Sequence, residues 1–194
     1  WDERVRTALG DLGPDVPGRV VRVDVDSCHV ATPEGDVRAR SRMPVTVGDW
    51  VRVHIDDTST VTQVAPRWSE LARRDPTGVT QVLAANVDLV LVAAPADRIS
   101  FARVEREVAV GWDSGARPVV LLTKSDLDVD GVGIRLRDRL VGVDVLDVSA
   151  VSGDGAEAVA GLLRPTHTGV LRGPSGAGKS TLVNLLAGVA VAAT

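Results

Sequence analysis

The chain has 194 residues, 44% hydrophobic and 25% charged, with a formal net charge of −4. That length holds one large domain or two small ones at roughly 100–150 residues each. A single cysteine, Cys28, excludes an internal disulfide and any cysteine-built zinc site, the acidic balance argues against a globally basic nucleic-acid binder, and no apolar run approaches the roughly 20 residues needed to span a bilayer.

Aromatic residues make up only 3%, so the core is expected to be built from Val, Leu and Ala. The first segment, Trp1 to Ala65, reads as short strands. Gly18 to Val25 alternates, with Val21, Val23 and Val25 on one face. Cys28 to Thr32 and Asp36 to Arg40 pair around Pro33-Glu34-Gly35. Gly48-Asp49 turns the chain into Trp50, Val51, Val53 and Ile55, and Val61 to Val64 is a fifth strand. Five short strands with close-set turns predict an all-β, OB-like five-stranded barrel over residues 1–65. Pro66 to Val79 is polar and Arg-rich, punctuated by Pro66, Pro76 and Gly78. It reads as an inter-domain linker, 66–80, with a helix at Ser69 to Arg73.

The pattern then changes. Val87 to Ala94 is an apolar run interrupted by Asp88 and ended by Pro95, as expected of a strand buried on both faces. Phe101, Val104, Val108 and Trp112 recur at helical spacing, and Gly115 ends that helix. Val119 to Leu122 is a strand, Ile134 to Leu140 a weak helix, Val143 to Val148 a strand, and Ala156 to Leu163 a helix with Pro165 beyond it. Thr168 to Arg172 is a short strand, followed by a helix from Gly178 to about Leu186. Alternating strands and helices over 81–194 predict an α/β domain with a parallel sheet.

Within it, Gly173-Pro174-Ser175-Gly176-Ala177-Gly178-Lys179-Ser180 matches G-x-x-x-x-G-K-[ST] in full, between a strand and a helix. Glycines let consecutive backbone N–H groups curl toward phosphate oxygens, and the helix N-terminus adds partial positive charge. Lys179 is placed for the β- and γ-phosphates and is the candidate catalytic residue. Ser180 is the candidate Mg²⁺ ligand, and Thr181 supports the α-phosphate. Lys124 and Lys179 are the only lysines, and each falls in a motif.

Thr123-Lys124-Ser125-Asp126 follows the second buried strand and differs by one residue from N-K-x-D, the guanine-reading motif. A carboxylate at Asp126 can accept from guanine N1–H and the exocyclic amine together, whereas adenine would leave that charge unpaired. The Lys124 stem can lie along the base. Thr123 lacks the reach of an asparagine amide, which bears on any contact to guanine N7. Ser149-Ala150 ends the next strand, where a backbone N–H can meet guanine O6. All three loops follow parallel strands and should gather at one sheet edge. An ATP-using P-loop protein, or an RNA-binding module in which nucleotide only biases conformation, are the competing readings.

The base reader precedes the phosphate loop, so the order is that of a circularly permuted GTPase. Together with Val47-Gly48-Asp49-Trp50-Val51, the Arg-rich segment and Ala84-Ala85-Asn86-Val87-Asp88, this order resembles the bacterial ribosome small subunit-dependent GTPase A family (RsgA, also called YjeQ). The resemblance implies GTP hydrolysis to GDP with Mg²⁺, stimulated by the small (30S) ribosomal subunit during its late maturation. It also implies a barrel that touches ribosomal RNA. A cytoplasmic monomer without membrane association is expected. In that family the switch regions and a C-terminal zinc domain would come after Thr194, so this chain is expected to be incomplete and weakly hydrolytic. Arg38, Arg40 and Arg42 alternate on a strand and, with Arg67, Arg73 and Arg74, are candidates for RNA phosphate. The plainer reading is a solvated face, since the first 65 residues are net acidic. Trp50 and Trp112 are expected in the core and Cys28 as a small apolar filler. His29, His54 and His167 are too scattered for a shared metal or catalytic role.

Overall fold

The computed structural model describes residues 2–75, 77–164 and 166–192. Pro76, Pro165 and Thr194, invoked above, lie outside the described residues. The chain divides into two compact units, Trp1–Val87 and Asp88–Thr194.

The first unit opens on helix α1, Glu3–Leu9, capped by the Asp2 carboxylate, which accepts the Val5 N–H at 3.2 Å. Val5 and Leu9, one turn apart, are buried against Ala65 with Trp50 and Trp68 alongside. Five antiparallel strands follow: β1 Val16–Val23, β2 Cys28–Thr32, β3 Gly35–Ala39, β4 Trp50–His54 and β5 Thr60–Val64. Their order is β3-β2-β1-β4-β5, and a parallel bridge between Arg40 and Thr60 joins the two outer strands, closing the sheet into an OB-like barrel. Val20, Val30, Val51, Val53 and Val61 fill it with Cys28 and Ala39. Cys28 is the filler expected; burial pushes its thiol up.

Val21 and Val23 share a face, the outer one, and Val25 is also exposed. A bulge between Val20 and Arg22 shifts the register against β2, and Val20 alone of that stretch faces inward. The segment read as a linker with a helix is instead a hairpin, β6 Glu70–Arg74 against β7 Thr80–Ala85. Its turn is held by the Asp75 carboxylate, which accepts the Thr77 and Val79 N–H groups at 2.8 and 2.9 Å. Ser69 forecloses the helix: its hydroxyl accepts the Val87 N–H at 2.6 Å and donates to the Val87 carbonyl at 2.7 Å. Long-range pairing thus overrides local helical propensity.

The hairpin is tied to the barrel by buried polar groups. Asp49, fully buried, accepts from Arg67 Nε and Nη2 at 2.7 and 2.8 Å and from the Thr46 N–H at 2.7 Å. Those bonds, first, and one to Glu70 push the Arg67 guanidinium far above its ordinary range, and they engage its Nε, Nη1 and Nη2 within the unit. Asn86, in the left-handed region at φ 54°, donates to the Gly48 carbonyl at 3.0 Å and accepts the Trp68 N–H at 3.2 Å. The Val47-Gly48-Asp49 and Ala84-Ala85-Asn86 segments therefore meet in one buried contact. Arg67→Ala would strand the Asp49 charge, and urea denaturation of the first unit should show a loss of about 3 kcal/mol; a loss under about 1 kcal/mol would contradict this account.

In the second unit, strands β8 Leu89–Pro95, β9 Arg117–Thr123, β10 Asp144–Val148 and β11 Gly169–Arg172 form an all-parallel sheet in the order β10-β9-β8-β11. Every residue of β8 is buried. Asp88, the charge before this apolar run, anchors its start. It exchanges bonds with Thr168, its carboxylate taking the Thr168 N–H at 2.8 Å, while its carbonyl takes the Arg117 N–H at 3.0 Å. Helices α2 Phe101–Asp113, α3 Val132–Arg139 and α4 Ala156–Leu162 make the crossovers, and α5 Lys179–Ala192 follows β11. On α2 the inward residues are Val104, Val108 and Gly111, and Trp112 is 53% exposed. At 100° per residue Trp112 lies about 70° from the centre of that stripe, so the apparent repeat through 112 leaves the core face. Trp50, by contrast, is partly buried against α1. No helix among the described residues is long and apolar enough to cross a membrane.

Candidate nucleotide-binding site

Because all four strands run parallel, the loops after β8, β9, β10 and β11 leave from the same edge. The winding direction reverses at β8, whose neighbours are β9 on one side and β11 on the other. Ligands bind open α/β sheets at such a point, outside the carboxyl ends of the strands.

The phosphate loop leaves β11 at Gly173, which has φ 145° and lies so close to β8 that a Cβ would sit 2.5 Å from the Ala93 carbonyl oxygen. Only glycine fits there. Gly176 and Gly178 also have positive φ, at 72° and 82°, and nothing lies within 4 Å of where a Gly178 Cβ would be. An open concavity rimmed by backbone N–H groups at the start of α5 suits a phosphate. Lys179 Nζ donates to the Gly173 and Pro174 carbonyls at 3.0 and 2.7 Å, so its charge lies over the loop. Ser180 and Thr181 are exposed at the helix start. Among the described residues no group of three or more His, Cys, Asp or Glu is placed to hold a metal.

Thr123 ends β9 and is buried, and its hydroxyl donates to the Ala177 carbonyl at 2.8 Å. Its polar group is thus directed at the phosphate loop and not at a base. Lys124 has φ 56°, and its ammonium pairs with Asp97 at 2.7 Å, in the short 3₁₀ turn Ala96–Arg98 after β8. Ser125 and Asp126 open the 3₁₀ turn Ser125–Leu127. Asp126 is exposed and makes no hydrogen bond or ion pair among the described residues, which leaves both oxygens available. Ser149 is buried, and its hydroxyl accepts the Val151 and Ser152 N–H groups at 3.3 Å each, shaping a turn whose bonds do not use the Ala150 N–H. A cleft of about 250 Å³ is lined by Thr123, Lys124, Asp126, Leu127, Ala150 and Val151 together with Gly178 and Thr181. The loops after β9 and β11, joined by the Thr123–Ala177 bond across 54 residues of chain, border one cleft.

The RsgA GTPase family model matches residues 64–194. The chain belongs to the RsgA GTPase family. Proteins named small ribosomal subunit biogenesis GTPase RsgA align over most of it. The one from Streptomyces coelicolor is 39% identical over 98% of this chain and 57% of its own length. That from Streptomyces avermitilis is 42% identical over 88% and 50%, and that from Opitutus terrae 34% over 97% and 59%. The chain therefore spans about half the length of these RsgA relatives. The crystal structure of YjeQ from Thermotoga maritima superposes with a TM-score of 0.73 at 22% identity, covering 89% of this chain and 65% of that one. That match supports the two-part fold, barrel followed by parallel α/β domain.

Two predictions follow from the strand-end loops. Thr123→Val strands the Ala177 carbonyl and should cost about 1–3 kcal/mol in thermal unfolding, while Thr123→Ser keeps most of it; equal losses in both variants would exclude the hydrogen bond as the cause. The Lys124 ammonium, by its hydrogen bond first, holds the Asp97 carboxyl below the usual carboxylate range. The link is then whole above about pH 4 and is lost as pH falls through the lowered value. An NMR titration should show a lower Asp97 midpoint in the unaltered chain than in Lys124→Met.

Proposed function

We propose that this chain binds guanine nucleotide with Mg²⁺ and that the protein hydrolyses GTP in the late maturation of the small ribosomal subunit. One observation carries the nucleotide reading: Asp126, Ala150, Gly178 and Thr181 line the same cleft. In this reading Asp126 accepts from guanine N1–H and the exocyclic amine, the Ala150 N–H meets O6, and Lys124 flanks the base. N–H groups over Gly173–Lys179 cradle the phosphates. Lys179 exchanges its bonds to the Gly173 and Pro174 carbonyls for β- and γ-phosphate oxygens, and the Ser180 hydroxyl holds the cation. Magnesium, when bound, would neutralise charge developing on the phosphates. Thr123 makes no contact to N7; Asp126 carries the discrimination against adenine.

The ribosomal part rests on the relatives' name. The first unit would then face RNA with the exposed Arg38, Arg40, Arg42, Arg73 and Arg74. Of the domain expected over 81–194, residues 81–87 fall in the barrel unit with the β6–β7 hairpin, and we take Asp88–Thr194 as the nucleotide-binding part.

Competition of GTP, ATP and XTP for the chain tests the base assignment. GTP should win, Asp126→Asn should move preference toward XTP, and Lys179→Ala should weaken GTP at least about 100-fold, the loss of a charge-assisted phosphate contact. Preference for ATP would overturn the guanine reading. GTP hydrolysis by the full-length protein should rise on adding small subunits; no rise would remove the ribosomal role.

A further inference from the structure

We propose that Arg98 is a positioning residue for the phosphate cradle, an inference that rests on the nucleotide reading above. Arg98 ends the 3₁₀ turn after β8 and belongs to no sequence motif. Its Nη2 donates to the Ser175 carbonyl at 2.9 Å. The guanidinium meets the loop through its Nη2 end: a Cβ on Gly176 would stand 2.3 Å from Nη2. Among the described residues this is its one hydrogen bond, and it makes no ion pair; the neighbouring carboxylates are engaged elsewhere, Asp97 with Lys124 and Glu107 with Arg172.

A trans peptide holds its C=O and N–H on opposite sides of one plane. Drawing the Ser175 carbonyl outward therefore turns the Gly176 N–H the other way, toward the concavity of the loop. Gly176 has φ 72° and no side chain to fix that plane, so the peptide would otherwise be free to flip. Arg98 supplies the missing constraint from another strand-end loop. Its full charge, unpaired by a carboxylate, also adds to the potential felt by an anion there. Gly176 lies early in the loop, away from Thr181 at the α-phosphate end, so the N–H in question serves the outer phosphates.

The test compares GDP and GMP binding to the unaltered chain, Arg98→Ala and Arg98→Lys. Arg98 is exposed and borders an open cavity of about 190 Å³, so Arg98→Ala should melt with the parent. Arg98→Ala should lose GDP affinity about three- to tenfold, as for one partly exposed charge-assisted hydrogen bond. It should change GMP affinity less than about twofold, because GMP has no outer phosphate. Arg98→Lys should recover most of the loss. Unchanged GDP affinity in Arg98→Ala, or an equal loss for GMP, overturns the role of Arg98 while leaving the nucleotide site standing. Failure of the unaltered chain to bind GDP overturns the nucleotide reading and this inference with it.

Discussion

Parallel pairing of β8 with β9 and β11 is the constraint on which the second unit depends. Antiparallel neighbours would send successive loops to opposite ends of the sheet. Parallel ones need a crossover for each strand and return every carboxyl end to the same edge. Three loops of unrelated sequence thereby become one cleft. The energetic basis is β8 itself, buried along its whole length by Leu, Val and Ala; burial of both faces fixes its position, and its neighbours take their register from it.

Backbone orientation is the second determinant. Phosphate recognition by a glycine-rich loop needs N–H groups aimed inward, and each such peptide presents a carbonyl outward that wants a donor. Thr123 supplies one for Ala177, Arg98 one for Ser175, and Lys179 covers Gly173 and Pro174. The loop's shape is thus held by side chains from the ends of β8 and β9 as well as by its own glycines. Thr123 both borders the cleft beside Asp126 and stiffens the glycine-rich loop.

What the sequence made legible follows from range. The phosphate loop, the strand and helix alternation after Asp88, and the barrel strands all rest on contacts or periodicities within a few residues. Asp126 could be proposed from the sequence because its chemistry is its own. The role of Thr123 was not, because its partner lies 54 residues on and only the folded sheet brings them together. Arg98 gave no signal at all for the same reason. The β6–β7 hairpin was hidden because its strands are short and rich in exposed Arg, so their alternation resembles a linker until Leu71 and Ser69 find β7 and Val87. Trp112 misled because a stripe of helical spacing drifts, and a large apolar residue at its margin looks the same as one at its centre.

The position of β11 has a consequence for the order in which the domain is assembled. Asp88 and Thr168, 80 residues apart, open the pairing of β8 with β11. Strands β8, β9 and β10 emerge first and can pair as they emerge. Until β11 arrives, the most apolar strand in the chain keeps one edge open, and such an edge recruits other strands. Closing so long a loop is slow relative to local pairing. Permutation of the motifs therefore brings the phosphate loop in after the loops that follow β9 and β10, and the arrival of β11 is the event that covers the open edge of β8.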